Sequence, residues 1–596
     1  MKTHHILSLT IYVAALTFSQ AAFSQPKVKS SLCNHDNAVE MIRQQMDATK
    51  TFDDTKQRIR VLIRSADLLW SYRQQRARAA FAEAFELAIL NFKNQGDSPK
   101  REGRTLSVST PDQRYLVIGA IAKRDLKWAS RLTEELLKEE SKRTEEATAK
   151  SSPVDMATAA KLLDAAAYLL PSNVNAAAQF ARRSLSYPAT LGLPIFLYKL
   201  AEVNQPAADH LYGEAFTAYR NEPMNEFLYL SAYPFGNDRE AGDMPSYAIY
   251  RVPPTFVRRN SLQRLFLEML LLRSQQTLAN SQAGGAQISD TRQIWLALTR
   301  LEPQVQQFLP DLLSATQQAR GTVFALLSQD SQQRVNRSIA TQNQPKKTFD
   351  EQVEAAEKRA NVDDRDRLLV FAVLGAPETE TLDRVVGVVE KISDSTIRQQ
   401  LLNWFYFGRS TSAIKDKQLD EAKKRASKVE ELDQRAYLYS EIAEESLKTI
   451  ESQTQARELL DEVIAAAAKA PNTIVTARTL LAAALLYTKV DMNRAVSVIG
   501  EAIGSINRLE APDFSRQVVM RKIEGKDFGA YAAFQTPGFD PENALRELAR
   551  IDFDTASYQV NNFEDKYLRA LTTLTLAQLC LQSSQRLGNE SHKARL

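Results

Sequence analysis

The side chains best suited to chemistry lie around one segment, residues 229–256, where helical pattern is lost and aromatic residues gather. Four carboxylates flank or occupy it: Glu226, Asp238, Glu240 and Asp243. Two carboxylates about 5–10 Å apart across a groove can hydrolyse glycosidic bonds, and aromatic rings often stack on sugars. The alternative is a solvated turn whose Asp and Glu side chains accept hydrogen bonds from local backbone donors.

The same segment also suggests a binding surface. Its candidate anchors are Tyr233, Phe235, Arg239, Tyr247, Tyr250 and Arg251. Aromatic and arginine side chains dominate the energetics of protein interfaces. The competing interpretation is that the rings fold down and cover the apolar face of the preceding helices, because so many aromatic side chains need burial.

Residues that usually carry catalysis or bind metals are scarce elsewhere. The sequence has no Gly-rich phosphate loop, no nucleophile elbow and no pair of histidines at metal spacing. Beyond the N-terminal segment, histidine occurs only as His35, His210 and His592, in three separate contexts. We therefore expect no metal and no cofactor, and the sequence favours a non-enzymatic protein over an enzyme.

A helical array has to position these side chains, and its most regular portion is residues 432–508. One amphipathic stripe, at i, i+3, i+4, i+7, i+8 and i+11, is formed by Ala456, Leu459, Leu460, Val463, Ile464 and Ala467. The same register recurs at Ala495, Val498, Ile499, Ala502, Ile503 and Ile506. The repetition predicts two consecutive helical hairpins built on one template.

A small–large–small pattern recurs on the second helix of several predicted hairpins. It is seen in Ala77, Phe81 and Ala84, in Ala208, Tyr212 and Ala215, in Ala456, Leu460 and Val463, and in Ala495, Ile499 and Ala502. The small residues let two helices approach closely while the larger one fills the groove between them. This pattern resembles the second-helix signature of tetratricopeptide repeats (TPRs). Pro471 and Pro512 follow their hairpins roughly where that family places a proline.

The resemblance covers mainly residues 366–508 and is patchy from 53 to 220. The Trp, Gly and Tyr of the family's first helix are missing, and the repeat spacing is irregular. It implies an all-α, irregular superhelical array of antiparallel helical hairpins, a TPR-like α-solenoid. The alternative is a generic irregular helical array with the same packing physics.

Composition agrees with an all-α protein. The chain has 596 residues, of which 44% are hydrophobic and 25% charged, while Gly (19) and Pro (21) are few. Ala, Leu, Glu, Arg and Gln are abundant, and these residues favour helix. The net charge of +4 is close to neutral for this length, so we expect no nucleic-acid partner.

The sequence divides into four parts. Residues 1–25 have the charged start, short apolar run and small-residue end of a signal peptide, and no later run is long enough to span a membrane. Residues 37–327 form an N-terminal helical array with the aromatic loop 229–256. Residues 328–348, rich in Gln, Ser and Asn, form a linker. Residues 349–585 form a C-terminal TPR-like array with an atypical end. We expect export, with a periplasmic or extracellular location.

The two cysteines, Cys33 and Cys580, lie near opposite ends of the chain. Export would permit a disulfide. The ends of an open solenoid do not meet, however, so we expect two thiols that are not paired with each other. A bridge would need the chain to close into a ring, or a second chain.

These observations support one leading function and two alternatives. The leading hypothesis is an exported helical-repeat scaffold that binds a protein, a peptide or an envelope polymer. The second is an enzyme acting on glycan or peptidoglycan, with carboxylates near the aromatic loop. The third is a structural element of a larger assembly whose partner chain carries the activity.

Overall fold

The fold is helical almost throughout, which confirms the predicted all-α class. A computed structural model describes residues 32–95, 112–146, 153–236, 252–282, 288–333, 347–377, 380–449, 452–515, 517–525, 528–536 and 538–593. Helix accounts for 76% of the structure. The described residues contain one two-stranded sheet.

The helices before residue 328 have the following bounds. They are α1 (His35–Ala48), α2 (Thr55–Leu69), α3 (Gln74–Gln95), α4 (Gln113–Ala122), α5 (Leu126–Glu146), α6 (Pro153–Leu169), α7 (Val174–Ser184), α8 (Gly192–Tyr219), α9 (Met224–Tyr229), α10 (Ala232–Phe235), α11 (Asn260–Gln282), α12 (Ile288–Phe308) and α13 (Leu313–Ala325). Short 3₁₀ helices lie at Thr49–Thr51 and Pro310–Leu312. Helix α8 is two helices joined by a kink at Asn204, shortly before Pro206.

The elements after residue 348 have the following bounds. The helices are α14 (Phe349–Glu357), α15 (Val362–Leu374), α16 (Leu382–Val389), α17 (Ser395–Lys415), α18 (Leu419–Ala426), α19 (Leu432–Ser446), α20 (Gln453–Lys469), α21 (Ile474–Tyr487), α22 (Met492–Asn507), α23 (Pro541–Ile551), α24 (Phe553–Asn561) and α25 (Lys566–Lys593). Between α22 and α23, strands β1 (Val518–Glu524) and β2 (Gly529–Gln535) form an antiparallel hairpin.

Side-chain caps start many of these helices. Asp54, Asp112, Asn173, Asp394, Asp491, Asp540 and Asp552 each precede a helix and accept a hydrogen bond from a backbone N–H of its first turn. Such a cap satisfies a donor that would otherwise lack an intrahelical partner, and it stabilises the helix by about 1 kcal/mol. Short polar residues in the connections therefore fix where these seven helices begin.

The helical hairpins predicted at residues 432–508 are confirmed as α19–α22. All six stripe positions of α20 are buried, from Ala456 to Ala467, and so are the six of α22, from Ala495 to Ile506. Each stripe faces a neighbouring helix, because α20 packs on α19 and α21, and α22 packs on α21.

The helices alternate between two layers. In the layer that we call layer A, each helix packs against the next: α17, α19, α21 and α23 in one stretch, and α2, α4, α6 and α8 in another. Helices α18, α20, α22, α24, α3, α5 and α7 each pack against the layer A helix that precedes them. We call this second set layer B.

The two stretches are joined through the chain termini. In layer A, α25 packs against both α23 and α2. Helix α1 takes the layer B place beside α25 and also packs on α2. The packing therefore continues from the last helix of the chain into the first, as if α1 followed α25.

The prediction that Cys33 and Cys580 are unpaired with each other is wrong. They form a disulfide with their Cα atoms 5.1 Å apart, across a sequence separation of 547. The prediction assumed that the termini mark the two ends of the array. They instead meet inside it, where Arg64 of α2 pairs with Glu542 of α23, and the Lys566 ammonium of α25 donates to the Thr51 carbonyl at 3.2 Å.

The apolar core also continues from the last helices of the chain into the first. One cluster of buried side chains extends from Ala38 to Leu327 and from Phe407 to Leu581. A smaller cluster runs from Phe349 to Leu401 and includes Ile523 of β1. The predicted linker, 328–348, lies largely outside the described residues, and the division into two arrays there stays a prediction.

The β-hairpin is the element that the sequence reasoning missed. The sequence predicts only an atypical end of the C-terminal array 349–585. Strand β1 precedes the Gly- and Pro-rich portion that begins at Gly525, and β2 lies within it. Strand β1 packs against α17 and α19. The Phe534 ring of β2 lies 4.7 Å from that of Phe407 and 5.7 Å from that of Tyr437, centroid to centroid. The hairpin thus rests on layer A.

Candidate functional site

Two of the six predicted binding residues lie in the core. The side chains of Tyr233 and Phe235 are fully buried, and both residues lie in the short helix α10. The Tyr233 ring stacks on Tyr212 at 5.5 Å and meets Phe256 edge-on at 5.1 Å. The other four, Arg239, Tyr247, Tyr250 and Arg251, lie outside the described residues, so their role stays a prediction.

Hydrogen bonding explains how Tyr233 is accommodated. Its hydroxyl donates to Asp209 Oδ1 at 2.7 Å. Burial, then the Asp209 carboxylate, raises the pKa of this phenol above its usual value. The hydroxyl is therefore a fixed donor inside the aromatic cluster, and the ring is not available for a partner to contact.

Of the four carboxylates predicted near the aromatic loop, only Glu226 lies among the described residues. Glu226 accepts a hydrogen bond from the backbone N–H of Ala189 at 2.9 Å, a contact that ties α9 to the segment before α8. Asp238, Glu240 and Asp243 lie outside the described residues. A catalytic pair at the aromatic loop therefore stays a prediction.

A cleft lies beside the β-hairpin, on layer A. This cleft of about 430 Å³, which we call the hairpin cleft, is lined by Tyr437, Ser440, Glu441, Glu444, Ala482, Leu485, Leu486, Lys489, Gln535, Thr536, Gly538, Phe539, Asn543 and Glu547. Its size falls within the roughly 300–1,000 Å³ of ordinary ligand sites.

Two neighbouring layer A helices supply the walls of the hairpin cleft with one spacing. Helix α19 contributes Tyr437, Ser440, Glu441 and Glu444, and α21 contributes Ala482, Leu485, Leu486 and Lys489. Both sets follow i, i+3, i+4, i+7, which is one face of a helix. Because α19 and α21 pack side by side, the two faces meet along the cleft.

The end of the β-hairpin and helix α23 close the remaining side. Phe539 is 6% exposed and forms part of an apolar floor with Leu485 and Leu486. Asn543 and Glu547, one turn apart on α23, add polar groups to the rim. The cleft thus combines an apolar floor with a rim that carries three glutamates.

The charge in the hairpin cleft is predominantly negative. Burial, then Glu444 and Glu445, raises the pKa of the Glu441 carboxyl, while Lys448 opposes the shift. Glu444 pairs with the Lys489 ammonium at 3.0 Å, and Glu547 pairs with Arg550. The Glu441 side chain is exposed and accepts no hydrogen bond from a described residue, so its charge is balanced only by solvent and by the weaker influence of Lys448.

Tyr437 borders Glu441 on the same helix face. Burial, then the negative charge of Glu441, raises the pKa of the Tyr437 phenol to about 12. Its ring stacks on Phe407 with 5.7 Å between centroids. The phenol is therefore neutral, and it offers the cleft a flat ring and one hydroxyl. Together with the carboxylates, this arrangement suits a cationic group attached to an apolar one.

A second cleft on layer A is lined by α2, α4 and α6 and has a volume of about 320 Å³. Several of its charges are already engaged. Arg64 pairs with Glu542, Asp67 pairs with Arg124 at 2.6 Å, and the Lys123 ammonium lies 4.1 Å from the centre of the Tyr168 ring. The hairpin cleft is the better candidate because its Glu441 carboxylate is not neutralised.

Clusters of metal-ligating side chains and membrane-spanning helices are two further features that could indicate a function. Within the described ranges, no group of three or more His, Cys, Asp or Glu side chains is placed to hold a metal ion. None of the helices with described side chains combines the length and the apolarity that crossing a membrane requires.

The sequence analysis missed the hairpin cleft although part of its pattern was visible. The spacing of Tyr437, Ser440, Glu441 and Glu444 marks a second, polar face on a helix whose other face is buried. Nothing in the sequence showed that the region after α22 would fold back over this face. A comparison of the chain with known family models and with curated protein sequences finds no match.

Proposed function

We propose that this chain is an exported helical-repeat scaffold, and that it binds a protein or peptide segment in the hairpin cleft. The observation that carries the proposal is the cleft itself. It has a volume of about 430 Å³, an apolar floor at Leu485 and Phe539, and a rim at Glu441, Glu444 and Glu547. A binding protein needs such a place for an apolar anchor and a matching charge.

A TPR-like solenoid is the arrangement that we propose for the scaffold. The alternation of layers A and B and the buried small–large–small triads of α3, α8, α20 and α22 support it. Solenoids present one layer of helices to their partners. The hairpin cleft opens between successive helices of one layer, as that use requires.

Export, to the periplasm or the extracellular space, is part of the proposal. The Cys33–Cys580 disulfide supports it, because disulfides persist in oxidising compartments and are rare in the cytosol. The signal-peptide pattern of residues 1–25 supports the same conclusion from the sequence, although those residues lie outside the described part of the chain.

The expected ligand is a peptide with an apolar side chain next to a lysine or arginine. The apolar side chain would contact Leu485, Leu486 and Phe539, and the cation would approach Glu441. Glu441 suits this role because no described cation pairs with it. Charge complementarity of this kind chiefly sets specificity and the rate of association.

Selection from a random peptide library tests the proposal. Wild-type protein should enrich peptides in which lysine or arginine neighbours an apolar residue. A Glu441→Lys, Glu547→Lys double variant should bind these peptides at least about tenfold more weakly, a loss of about 1.4 kcal/mol. Glu458→Lys is the matched control, because Glu458 is exposed on α20 in layer B, outside the cleft.

Two results would remove the cleft from the proposal. One is a selection that enriches no such peptides with the wild-type protein. The other is equal binding of the selected peptides by the wild type and the double variant. Circular dichroism of each variant separates a loss of charge from a loss of fold.

A second candidate function is hydrolysis or cleavage of a glycan, such as peptidoglycan. Glu441 and Glu444 lie one helical turn apart in the cleft, beside Tyr437, and the pKa of Glu441 is raised. Glycosidases use one carboxyl as a general acid and a second carboxylate as base or nucleophile.

Incubation with purified cell wall distinguishes the two functions. Release of soluble fragments that is lost in Glu441→Gln and retained in Glu458→Gln would establish the enzyme. If wild-type protein releases no fragments under any condition that preserves its fold, the glycan hypothesis is rejected and the binding hypothesis stands.

A further inference from the structure

A smaller pocket lies at the other end of α19, where β1 crosses from α17 to α19. Its volume is about 220 Å³, and its lining residues are Gln400, Asn403, Trp404, Glu431, Asp433, Gln434, Met520, Arg521 and Lys522. This is below the roughly 300 Å³ at which sites for drug-sized ligands begin. Any ligand must therefore be small.

Arg521 is the buried cation of this pocket, and it pairs with no acidic residue that the structure describes. The other cation, Lys522, pairs with Glu524 at 3.4 Å. The Arg521 side chain is only 8% exposed. The guanidinium carbon lies 4.0 Å from the centre of the Trp404 ring and 4.7 Å from that of Phe407. Among the described residues, no carboxylate forms an ion pair with it, its Nε has no hydrogen-bond partner, and one Nη donates to the Trp404 carbonyl.

Burial of an unpaired charge is costly, and the pKa of Arg521 reflects that cost. Burial lowers it to about 10. Stacking on aromatic rings offsets part of the desolvation, but it leaves donors of the guanidinium without an anion. Planar donors of this kind match a carboxylate, which they can hold with two parallel hydrogen bonds.

Another wall of the pocket is acidic. Asp433 and Glu431 lie at the start of α19. Burial raises the pKa of Asp433 above its usual value. The hydrogen bond from the Gln434 backbone opposes this shift, and repulsion from Glu431 adds to it. Beside them, Gln434 is 6% exposed, donates through Nε2 to the Met520 carbonyl at 3.2 Å, and has no partner for Oε1 among the described residues.

We propose that this pocket binds a small zwitterion, an amino-acid-like molecule whose carboxylate is held by Arg521 and whose ammonium is held by Asp433 and Glu431. The buried guanidinium of Arg521 forms no ion pair with a described acid. Of the two acidic residues, Asp433 accepts a hydrogen bond from the Gln434 N–H at 2.8 Å, and Glu431 is exposed. A molecule with both charges would compensate both walls at once. A ligand with one charge would leave the other wall uncompensated.

The inference does not depend on the proposed function of the hairpin cleft. The two sites have no lining residue in common. Peptide binding at the hairpin cleft and zwitterion binding at the Arg521 pocket can therefore fail or succeed separately, and variants of one site serve as controls for the other.

A spacer series of zwitterions tests the inference on the full-length protein. The probes are glycine, β-alanine, γ-aminobutyrate and δ-aminovalerate, with acetate and methylammonium as single-charge controls. Calorimetric titration and the thermal midpoint should show binding of zwitterions, strongest at one spacer length. Binding of no zwitterion, or binding of acetate as tight as that of the best zwitterion, would overturn the inference.

Variants then assign the contacts. Asp433→Asn and Arg521→Gln should each weaken binding of the best zwitterion at least about tenfold. Lys489→Gln, in the hairpin cleft, should leave it unchanged. Arg521→Gln also removes the ring contacts of the hairpin, so Asp433→Asn decides the outcome if the arginine variant unfolds. Unchanged affinity in a folded Asp433→Asn protein would refute the proposed ammonium contact.

The pH dependence gives an independent readout. Protonation of Asp433 removes the charge that holds the ammonium, so affinity should fall as the pH is lowered through the raised pKa of Asp433. Glu431, Arg478, Arg521 and Lys522 are the other charged groups that face or flank it. In Asp433→Asn this pH dependence should be lost, whereas a merely structural role of Asp433 would leave it in place.

Discussion

Tyr233 shows how an aromatic residue from a Gly- and Pro-rich segment serves the core. The pattern around residues 229–256 is equally consistent with an exposed anchor and with a buried ring. The decisive facts are the neighbours, since Tyr198, Tyr212 and Phe256 surround it and Asp209 takes its hydroxyl. None of these partners can be read from the local sequence.

We predict that Tyr233→Phe destabilises the protein by about 1–2 kcal/mol, because a partly buried hydrogen bond to a carboxylate is lost. The Asp209 carboxylate would still pair with Arg259, whose Nε lies 3.3 Å from Asp209 Oδ2, and this ion pair limits the loss of stability. Urea denaturation measures it. Tyr558→Phe is the control, because Tyr558 is 68% exposed, and it should leave the midpoint unchanged. An unchanged midpoint in Tyr233→Phe would contradict the assigned hydrogen bond.

Glu441 makes a prediction about pH. Its pKa is raised in the folded protein, so the folded state binds the proton more tightly than the unfolded state does. The protein therefore loses stability as the pH rises through the pKa that Glu441 has in the unfolded state and then through its pKa in the folded state. The free-energy cost of the charged Glu441 is fully present at neutral pH. Below about pH 4, where both states are protonated, the cost is absent.

Glu441→Gln should therefore raise the thermal midpoint at pH 7 and have no effect near pH 4. Solvent screens this exposed group, so the gain should be below about 1 kcal/mol. Thermal unfolding at both pH values measures it, with Glu458→Gln as the exposed control. A loss of stability at pH 7 would show that the Glu441 charge is compensated in the protein.

At the scale of elements, the β-hairpin creates both candidate sites. Strand β1 supplies Arg521 to the small pocket, and the residues after β2 supply Phe539 to the hairpin cleft. The burial pattern of β1 alternates, which places one face of the strand on α17 and α19 and the other towards solvent. A hairpin of two strands is marginally stable by itself, so its position depends on this packing.

Phe534→Ala should loosen the hairpin, because Phe534 contacts Phe407 and Tyr437 below it. We expect the free energy of local opening of β1 and β2 to fall by about 1–3 kcal/mol. Hydrogen exchange would report it as faster exchange in residues 518–535 and unchanged exchange in α21. Tyr531→Ala is the matched control on the exposed face of β2, and faster exchange there than in Phe534→Ala would contradict the packing.

At the scale of the whole molecule, the chain termini hold the array together from within. Helix α25 lies between α23 and α2, so residues from both ends of the sequence share one apolar core. The disulfide joins Cys33 and Cys580, which are 547 positions apart, and so holds α1 and α25 together in the unfolded chain as well. Closing so long a loop is costly in chain entropy, and a crosslink removes that cost.

A Cys33→Ser, Cys580→Ser variant should be destabilised. The chain-entropy model sets an upper limit of about 6 kcal/mol for a loop of this length, and measured effects are commonly smaller. Calorimetry should show a lower midpoint, and hydrogen exchange should rise first in α1 and α25. Thiol alkylation of unfolded wild-type protein should label neither cysteine before reduction. A labelled cysteine there, or an unchanged midpoint, would count against a closed junction.

The sequence alone determined the helices. The stripes of α20 and α22, the caps before many of the helices and the shortage of Gly and Pro all act over a few residues. That is the range over which amphipathic pattern and capping are encoded. The all-α class and the hairpins of residues 432–508 could therefore be predicted. The spacing of Tyr437 and Glu441 on one helix face could also be recognised in the sequence, but the cleft that this face lines could not.

Only the tertiary structure decided which distant surfaces meet. Cys33 pairs with Cys580, α1 takes the place after α25, and a hairpin from beyond α22 returns to cover α17 and α19. Each contact joins residues far apart in the chain, through apolar faces that look alike in the sequence. Their pairing depends on the shape and packing of the whole array, and no local pattern specifies it. Both candidate sites are built from such contacts, so the sequence predicted the helices but not the sites they enclose.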